Sequence, residues 1–537
     1  DQMLTCTIHT PQSFYPGFMQ DFEQDLISPL LEMQDRGEIK LVNFSELVDI
    51  WENDFDSEAQ QYNMPENAAS SKFSAFVPSV AAGEKGVFVQ VSLPEEARFE
   101  NQQTPVVVHV AGGWTGVGIS NKSHGLTDQG FIELDFNFPG SGLPDQMSGG
   151  DYDERGENCI QALADVAQFA LGKKPDSYGY YLDDMIGVLE IATDNVGLCG
   201  WSNGGNATIT TAGMHGDSLD GLAWIVNWES PVGDGMPNVD AGVRTNLNPA
   251  YDPDTGEFNT SLLAYSEMLP GPDSGLGGLY FDINENGMLD VGVDFMAPYH
   301  AFQGKNYYSD YLRQAAETLA VSLAEHIATT EETSYFWYWR NGELWIESAV
   351  QANPDLMFIV EAGDQDHVQG APDHPHVLIQ YEGFRSAGAR FVRLNPDRFY
   401  VEEVLGTAMP DAVDNDAFQL FDHISIRTAV QRRDIPTLPS ARSVAAAVCE
   451  LADRTKDNNI EPQIDDEMTS VKNADIFPAH VMLAQNYPNP FNGQTVISFQ
   501  LDGISTVDLI IYDVMGRNVR QWHFQGSSGS QSVVWNG

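Results

Sequence analysis

Basic residues are scarce. The 537-residue chain has 26 Lys and Arg against 78 Asp and Glu, a formal net charge of −52. A surface so negative repels phosphate backbones and anionic headgroups, which argues against nucleic-acid binding and peripheral membrane attachment. It suits solubility in salty water, where screening relieves the self-repulsion. Cysteine is nearly absent: Cys6, Cys159, Cys199 and Cys449 form no CxxC metal pattern and are too widely spaced for a small disulfide scaffold. They leave one disulfide open without favouring a pair. Cys199 falls in an apolar strand and reads as a small core residue. No apolar run is long enough to span a membrane, and no segment repeats. The chain opens at Asp1 with neither a basic n-region nor an apolar h-region, so a signal peptide is expected to have been removed, or the end trimmed.

What is present is the material of a large globular core. Hydrophobic residues make up 42 % and aromatics 11 %, which excludes wholesale disorder. The length allows about two to four domains. Residues 1–75 alternate helix, strand and helix patterns. Residues 87–93 and 105–110 read as strands, the second a continuous apolar run suited to burial on both faces. Further βα alternation follows: strand 131–136, helices 159–171 and 181–192, strand 197–200, a helix from Gly204, and strands 222–227, 356–361 and 389–394. This order predicts an α/β fold with a mostly parallel sheet covered by helices on both faces, over residues 76–432. Residues 234–353 interrupt it as a large lid-like insertion. Residues 433–480 read as a polar, acidic linker, and 481–537 as a small all-β domain.

The chemistry centres on Leu198-Cys199-Gly200-Trp201-Ser202-Asn203-Gly204-Gly205, a G-x-S-x-G sequence between an apolar strand and a helix pattern. Such a sharp turn holds Ser202 in a strained conformation, and side chains at Gly200 and Gly204 would collide with the flanking elements. The hydroxyl is lifted above the sheet edge, and the Asn203 N–H at the helix N-terminus is set to bind an oxyanion.

At these residues the sequence resembles the α/β-hydrolase family of serine hydrolases, over about residues 80–432. The resemblance implies a second oxyanion donor after an early strand. In Val106-Val107-Val108-His109-Val110-Ala111-Gly112-Gly113-Trp114, that donor is the Trp114 N–H, with Gly113 second. It implies an acid after a late strand: in Ala362-Gly363-Asp364-Gln365-Asp366-His367 the family spacing selects Asp366, with Asp364 and Asp234 as rivals. It implies a base after the last strand, in the order Ser, Asp, His. That selects His423; His374 and His376 precede the strand, and His523 lies in the C-terminal domain. No catalytic cofactor is implied.

Three further motifs carry expectations. Asp282, Asn284, Asn286, Met288 and Asp290, with Gly287 at the turn, resemble the first nine positions of an EF-hand calcium loop. The twelfth position is Val293, with Asp294 one residue late, so a shorter loop binding a structural Ca²⁺ is expected. The aromatic run Tyr335-Phe336-Trp337-Tyr338-Trp339 before Asn341-Gly342 predicts a hairpin, packed across strands or presented to a substrate. Leu483-Ala484-Gln485-Asn486-Tyr487-Pro488-Asn489-Pro490-Phe491-Asn492, then Tyr512-Asp513-Val514-Met515-Gly516-Arg517 and Trp535-Asn536-Gly537, closely resemble the C-terminal sorting domain of the type IX secretion system. That implies export across a bacterial outer membrane by the secretion machinery, to the cell surface or beyond. The family's domain continues past the last motif, so this one is expected to be truncated.

Together these readings predict a secreted serine esterase acting on a small or polymeric ester. Three alternatives stand beside it: a peptidase or amidase of the same fold, a polyester or cutin hydrolase, and a surface binding module without catalysis.

Overall fold

A computed structural model of the chain describes residues 71–114, 116, 118–119, 124–235, 240–243, 246–269, 277–362, 374–405 and 440–460, and the C-terminal strands within 482–535. Two compact units are present, Asp1–Pro462 and Gln463–Gly537.

Eight strands make the main sheet of the first unit: β1 (Lys72–Val77), β2 (Val87–Ser92), β3 (Gln103–Val110), β4 (Ile132–Phe136), β5 (Glu190–Trp201), β6 (Leu222–Trp228), β7 (Met357–Glu361) and β8 (Phe391–Leu394). Their spatial order is β1-β2-β4-β3-β5-β6-β7-β8. β1, β2 and β4 pair antiparallel, and every pair from β4 to β8 is parallel. β1 crosses the domain edge expected at residue 75, because Lys72–Val77 pairs along its whole length with β2.

The parallel strands are apolar on both faces because both faces are covered. In β3, Val106, Val108 and Val110 enter one core and Val107 the other. The first core is closed by α1 (Glu157–Ala170), α2 (Gly204–His215), and two later helices, the first of them in the last residues of the stretch expected to be inserted. Before those come α3 (Asp310–Thr318) and α4 (Thr330–Arg340), inside the insertion; the two closing helices are α5 (Ile346–Ala352) and α6 (Pro375–Ser386). The opposite face is closed by α7 (Arg398–Leu405) and α8 (Ser440–Lys456).

Helix α8 corrects the expectation of a linker over 433–480. Val444 to Cys449, Leu451 and Ala452 are fully buried against the sheet. Alanine-rich sequence favours the helix and lets it lie close to the strands. Its charged residues close a buried network: Glu450 pairs with Arg393 of β8 and, at 2.9 Å, with Arg454.

Two other elements differ from expectation. Residues 181–192 are not a helix: a 3₁₀ turn at Leu182–Asp184 is followed by Gly187 at φ 71°, and β5 starts at Glu190. The aromatic run does not form a hairpin but the last turns of α4. The Thr329 hydroxyl accepts the Glu332 N–H at 3.2 Å, and the Glu332 carboxylate accepts the Thr329 N–H at 2.9 Å. This capping box starts a helix, and tertiary packing of Phe336 and Trp337 overrides their strand preference. The Asn341 side chain accepts the Glu343 N–H at 2.9 Å, capping the next 3₁₀ turn.

The insertion has a core of its own, in which Leu279, Phe281, Tyr308 and Leu312 are buried. It includes the hairpin His300–Phe302/Lys305–Tyr307. Cys159, Cys199 and Cys449 are buried free thiols. Among the described residues no helix is long and apolar enough to cross a membrane. In the second unit, Thr495–Leu501 pairs antiparallel with Met482–Leu483 and Gly529–Trp535, and Ser505–Tyr512 with Asn518–Gly526. The described residues of this unit are all strand, as their alternating sequence predicts.

Candidate active site

β5 ends at Trp201 and α2 begins at Gly204, so the chain turns from strand to helix within two residues. Ser202 sits in that turn at φ 50°, a conformation that strains an L-residue. Its own N–H donates to the Trp228 carbonyl at the end of β6 at 2.9 Å, and its carbonyl accepts the Gly205 N–H at 3.0 Å. The serine is therefore fixed by backbone alone. Gly200 is required by crowding: a Cβ there would stand 2.9 Å from Gly205 Cα. Asn203 follows as the first residue of the helix N-terminus, where the dipole favours negative charge.

The loop after β3 lies against this turn. A Cβ on Gly112 would stand 2.7 Å from Ser202 Cβ, so the backbone approaches Ser202 as closely as a glycine allows. The Asn203 side chain donates to the Gly113 carbonyl at 3.3 Å. Ser202 and Asn203 thus lie against the Gly112–Gly113 backbone, which leads directly into Trp114. Asn206, one turn into α2, braces the arrangement. Its amide donates to Asn203 Oδ1 at 3.2 Å and to the Pro231 carbonyl at 3.1 Å. Its oxygen accepts the N–H groups of Gly233 at 3.2 Å and Gly342 at 2.8 Å, which ties α2 to the start of the insertion and to the turn that follows α4.

The Trp114 ring packs 4.1 Å from the His300 ring, and both lie near Phe336. His300 Nε2 meets a Glu154 carboxylate oxygen at 2.5 Å. Burial, the largest influence, holds the imidazole below its ordinary range although Glu154 pulls the other way. Tyr152, Glu154, Arg155, His300 and Arg340 gather around the Gly112–Trp114 loop, and the sequence patterns above point to none of them. The one local signal is Asp153-Glu154-Arg155-Gly156 immediately before α1.

Asp366, Asp364 and His423 lie outside the described residues. β7, which leads to Asp366, ends at Glu361 on the same sheet edge as Ser202. The rival Asp234 is half-buried, and its carboxylate accepts the Tyr311 N–H at 3.3 Å. His374 and His376 are buried at the start of α6, and His523 is exposed in the second unit.

The loop expected to bind calcium gathers its residues in one place. Asn284 and Asn286 donate to Asp290 Oδ2 at 2.7 and 2.6 Å. Asp282 accepts the Gly287 N–H at 2.7 Å, and Asp294 accepts the N–H groups of Ile283 at 2.8 Å and Asp290 at 2.7 Å. The Met288 N–H donates to Asn286 Oδ1 at 2.8 Å. The carboxylates are thus turned to the loop's own donors, and among the described residues no three His, Cys, Asp or Glu side chains form a metal-binding group.

Comparison with known proteins identifies the second unit. Residues 485–535 match the family described as "Secretion system C-terminal sorting domain". No curated protein matches the chain in sequence. Among solved structures, the chain is similar to a fungal esterase of Rhizomucor miehei (12 % identity, 80 % of this chain and 97 % of that one, TM-score 0.36). It is also similar to esterase B of Lactobacillus rhamnosis (11 %, 83 % and 98 %, TM-score 0.34). A prolyl endopeptidase structure is similar over 74 % of this chain and 38 % of its own (10 % identity, TM-score 0.33). The chain carries a secretion sorting domain, and its large unit has the strand order and serine turn of the α/β-hydrolase fold.

Proposed function

We propose that the chain is an exported serine hydrolase of carboxylic esters, carried out of the cell by type IX secretion. Ser202 Oγ attacks the ester carbonyl carbon while His423 takes its proton, and Asp366 holds the imidazole tautomer and stabilises the imidazolium. The oxyanion is received by the N–H groups of Asn203 and Trp114, with Gly113 beside them. Collapse of the tetrahedral intermediate expels the alcohol, which takes the proton from His423. Water, deprotonated by His423, then attacks the acyl-enzyme, and the acid leaves as Ser202 recovers its proton.

The observation that carries this reading is Ser202 at φ 50° between β5 and α2, with the Gly112–Trp114 loop packed against it. Fluorophosphonate labelling followed by peptide mass spectrometry tests it. Adduct at Ser202, absent from Ser202→Ala, is expected; folded protein that takes no label overturns it. Short acyl, feruloyl, polyester and peptide-amide substrates then separate ester from amide chemistry.

Calcium in the Asp282–Asp294 loop is a second part of the proposal. Five side chains there carry oxygen donors suited to a hard cation: Asp282, Asn284, Asn286, Asp290 and Asp294. Its role would be to pin the insertion. Added Ca²⁺ is expected to raise the melting temperature and a chelator to reverse it, with kcat unchanged; calorimetry showing no binding rejects the ion.

A further inference from the structure

Three successive carbonyls after β3 are each held by a different side chain. The Gly112 carbonyl accepts Arg155 Nη2 at 3.0 Å, the Gly113 carbonyl accepts Asn203 Nδ2 at 3.3 Å, and the Trp114 carbonyl accepts the Tyr152 hydroxyl at 2.5 Å. In a trans peptide the carbonyl and the following N–H lie in one rigid plane and point in opposite directions. Fixing the Gly112 carbonyl therefore aims the Gly113 N–H, and fixing the Gly113 carbonyl aims the Trp114 N–H. These are the two donors assigned to this loop.

Tyr152 and Arg155 belong to one turn, and that turn is strained. Glu154 and Arg155 stand at φ 54° and 67°, two successive L-residues in the left-handed region. Such a conformation persists only where its surroundings impose it, and here the insertion does so. Arg340, the last residue of α4, donates Nη2 to the Asp153 carbonyl at 2.5 Å and Nε to the Glu154 carbonyl at 2.7 Å. Its guanidinium lies 3.9 Å from the Phe336 ring centre, which fixes its plane. The Arg155 guanidinium is itself buried, 3.9 Å from the Phe138 ring centre. A second route runs through Glu154, whose carboxylate holds the His300 ring against Trp114.

We propose that the turn Tyr152–Arg155 is a positioning clamp for the oxyanion loop, and that Arg340 of the insertion sets it. The inference rests on the hydrolase reading for its catalytic consequence, but its geometry is testable alone. Arg155 and Tyr152 touch no reacting atom; Arg155 aims the Gly113 N–H through the Gly112 carbonyl, and Tyr152 anchors the far end of the loop at the Trp114 carbonyl, limiting rotation of the peptide that carries the Trp114 N–H. Arg340 acts one step further back, which gives the insertion control over the rate without a contact to the substrate.

The test compares Tyr152→Phe, Arg155→Lys and Arg340→Lys in the full chain, by steady-state hydrolysis of a p-nitrophenyl ester and by amide hydrogen exchange of the segment containing Gly113 and Trp114. Each variant is expected to lower kcat about 10-fold or more with KM within about twofold, because misdirected donors weaken the transition state rather than ground-state binding. Exchange at the loop should rise in all three. Arg393→Lys, at a buried arginine of β8, serves as control: it should lower the melting temperature but leave kcat and loop exchange unchanged. Wild-type kcat in the clamp variants, a change confined to KM, or unchanged loop exchange overturns the clamp. Should Arg155→Lys fail to fold, Tyr152→Phe, which removes a single oxygen atom, decides. Absence of Ser202-dependent hydrolysis in the wild type would instead reject the functional reading, and loop exchange alone would then decide the clamp.

Discussion

The turn at Trp201–Gly204 and the loop at Gly112–Trp114 meet at Ser202, and they are held in opposite ways. The turn is held by its own backbone: Ser202 bonds to the ends of β6 and α2, and glycines admit the crossing. The loop is held by side chains from elsewhere, at Tyr152, Arg155 and Asn203, with His300 of the insertion packed on Trp114. A nucleophile must present one atom in one place, and a short strained turn does that locally. An oxyanion hole must aim peptide planes, and planes without side chains of their own need outside anchors. The consequence is an asymmetry in control: distant substitutions should leave the serine in place while degrading the donors around it.

The strongest break in the comparison is Ser202→Ala, which removes the local side alone. Hydrolysis should fall by about 10⁴-fold or more, with residual rate from oxyanion binding. The melting temperature should hold, since the backbone bonds that fix position 202 are kept by alanine; a matched kinetic and thermal measurement checks both. Next in size is Glu450→Gln, which acts on neither side. Glu450 is fully buried and pairs with Arg393, itself 8 % exposed. Leaving that guanidinium against a neutral amide should cost about 3–5 kcal/mol of stability, read by denaturant unfolding. Turnover by the remaining folded protein should not change, which separates stability from rate. Gly112→Ala strikes where the two sides touch. Its Cβ would stand 2.7 Å from both Ser202 Cβ and the Trp201 carbonyl oxygen. The loop must retreat, and a fall in kcat of about 10²-fold is expected, comparable to loss of one oxyanion donor. If kcat holds, the loop is not the oxyanion site.

The same asymmetry decides what could be read in advance. The strand-to-helix turn is contiguous, so G-x-S-x-G between an apolar strand and a helix pattern located Ser202 and Asn203. Uninterrupted apolar runs such as Val106–Val108 located the buried strands. The clamp is not contiguous: Arg340 and the carbonyl of Glu154 are 186 positions apart, and no spacing rule links them. Helix α8 was hidden differently, because its short Ala and Val run is followed by charged residues that read as solvent-exposed. In α4 the aromatic residues favour a strand and the capping box at Thr329 and Glu332 favours a helix; the cap and the packing of Phe336 and Trp337 prevail. Asp366 rests on the family spacing after Gly363 and His423 on chain order, and both lie outside the described residues.

The smallest expected effect concerns the platform beneath the loop. His109 of β3 meets Glu133 of β4 at 2.8 Å, and its ring stacks 5.6 Å from His124. Burial pulls the His109 imidazole down, but hydrogen bonds to Cys199 and Glu133 and the nearby Asp135 charge outweigh it, so His109 titrates well above its ordinary range. Burial pushes Glu133 up, yet the hydrogen bond and charge of His109 bring it below its ordinary value. For His109 the gain is fully present below about pH 6.5, its ordinary pKa, and is lost as pH rises through the raised value. For Glu133 the gain is present above about pH 4.3, and is lost as pH falls through the lowered value. The pair should therefore hold β3 to β4 most firmly between about pH 4.3 and 6.5. Melting temperature measured across pH should show that plateau, and His109→Gln should flatten its alkaline limb by a few degrees. An identical alkaline limb in the variant would place the titration elsewhere. Because β3 delivers Gly112–Trp114, kcat should weaken along that limb before Ser202 labelling does, which is the comparison between the two sides repeated as a function of pH.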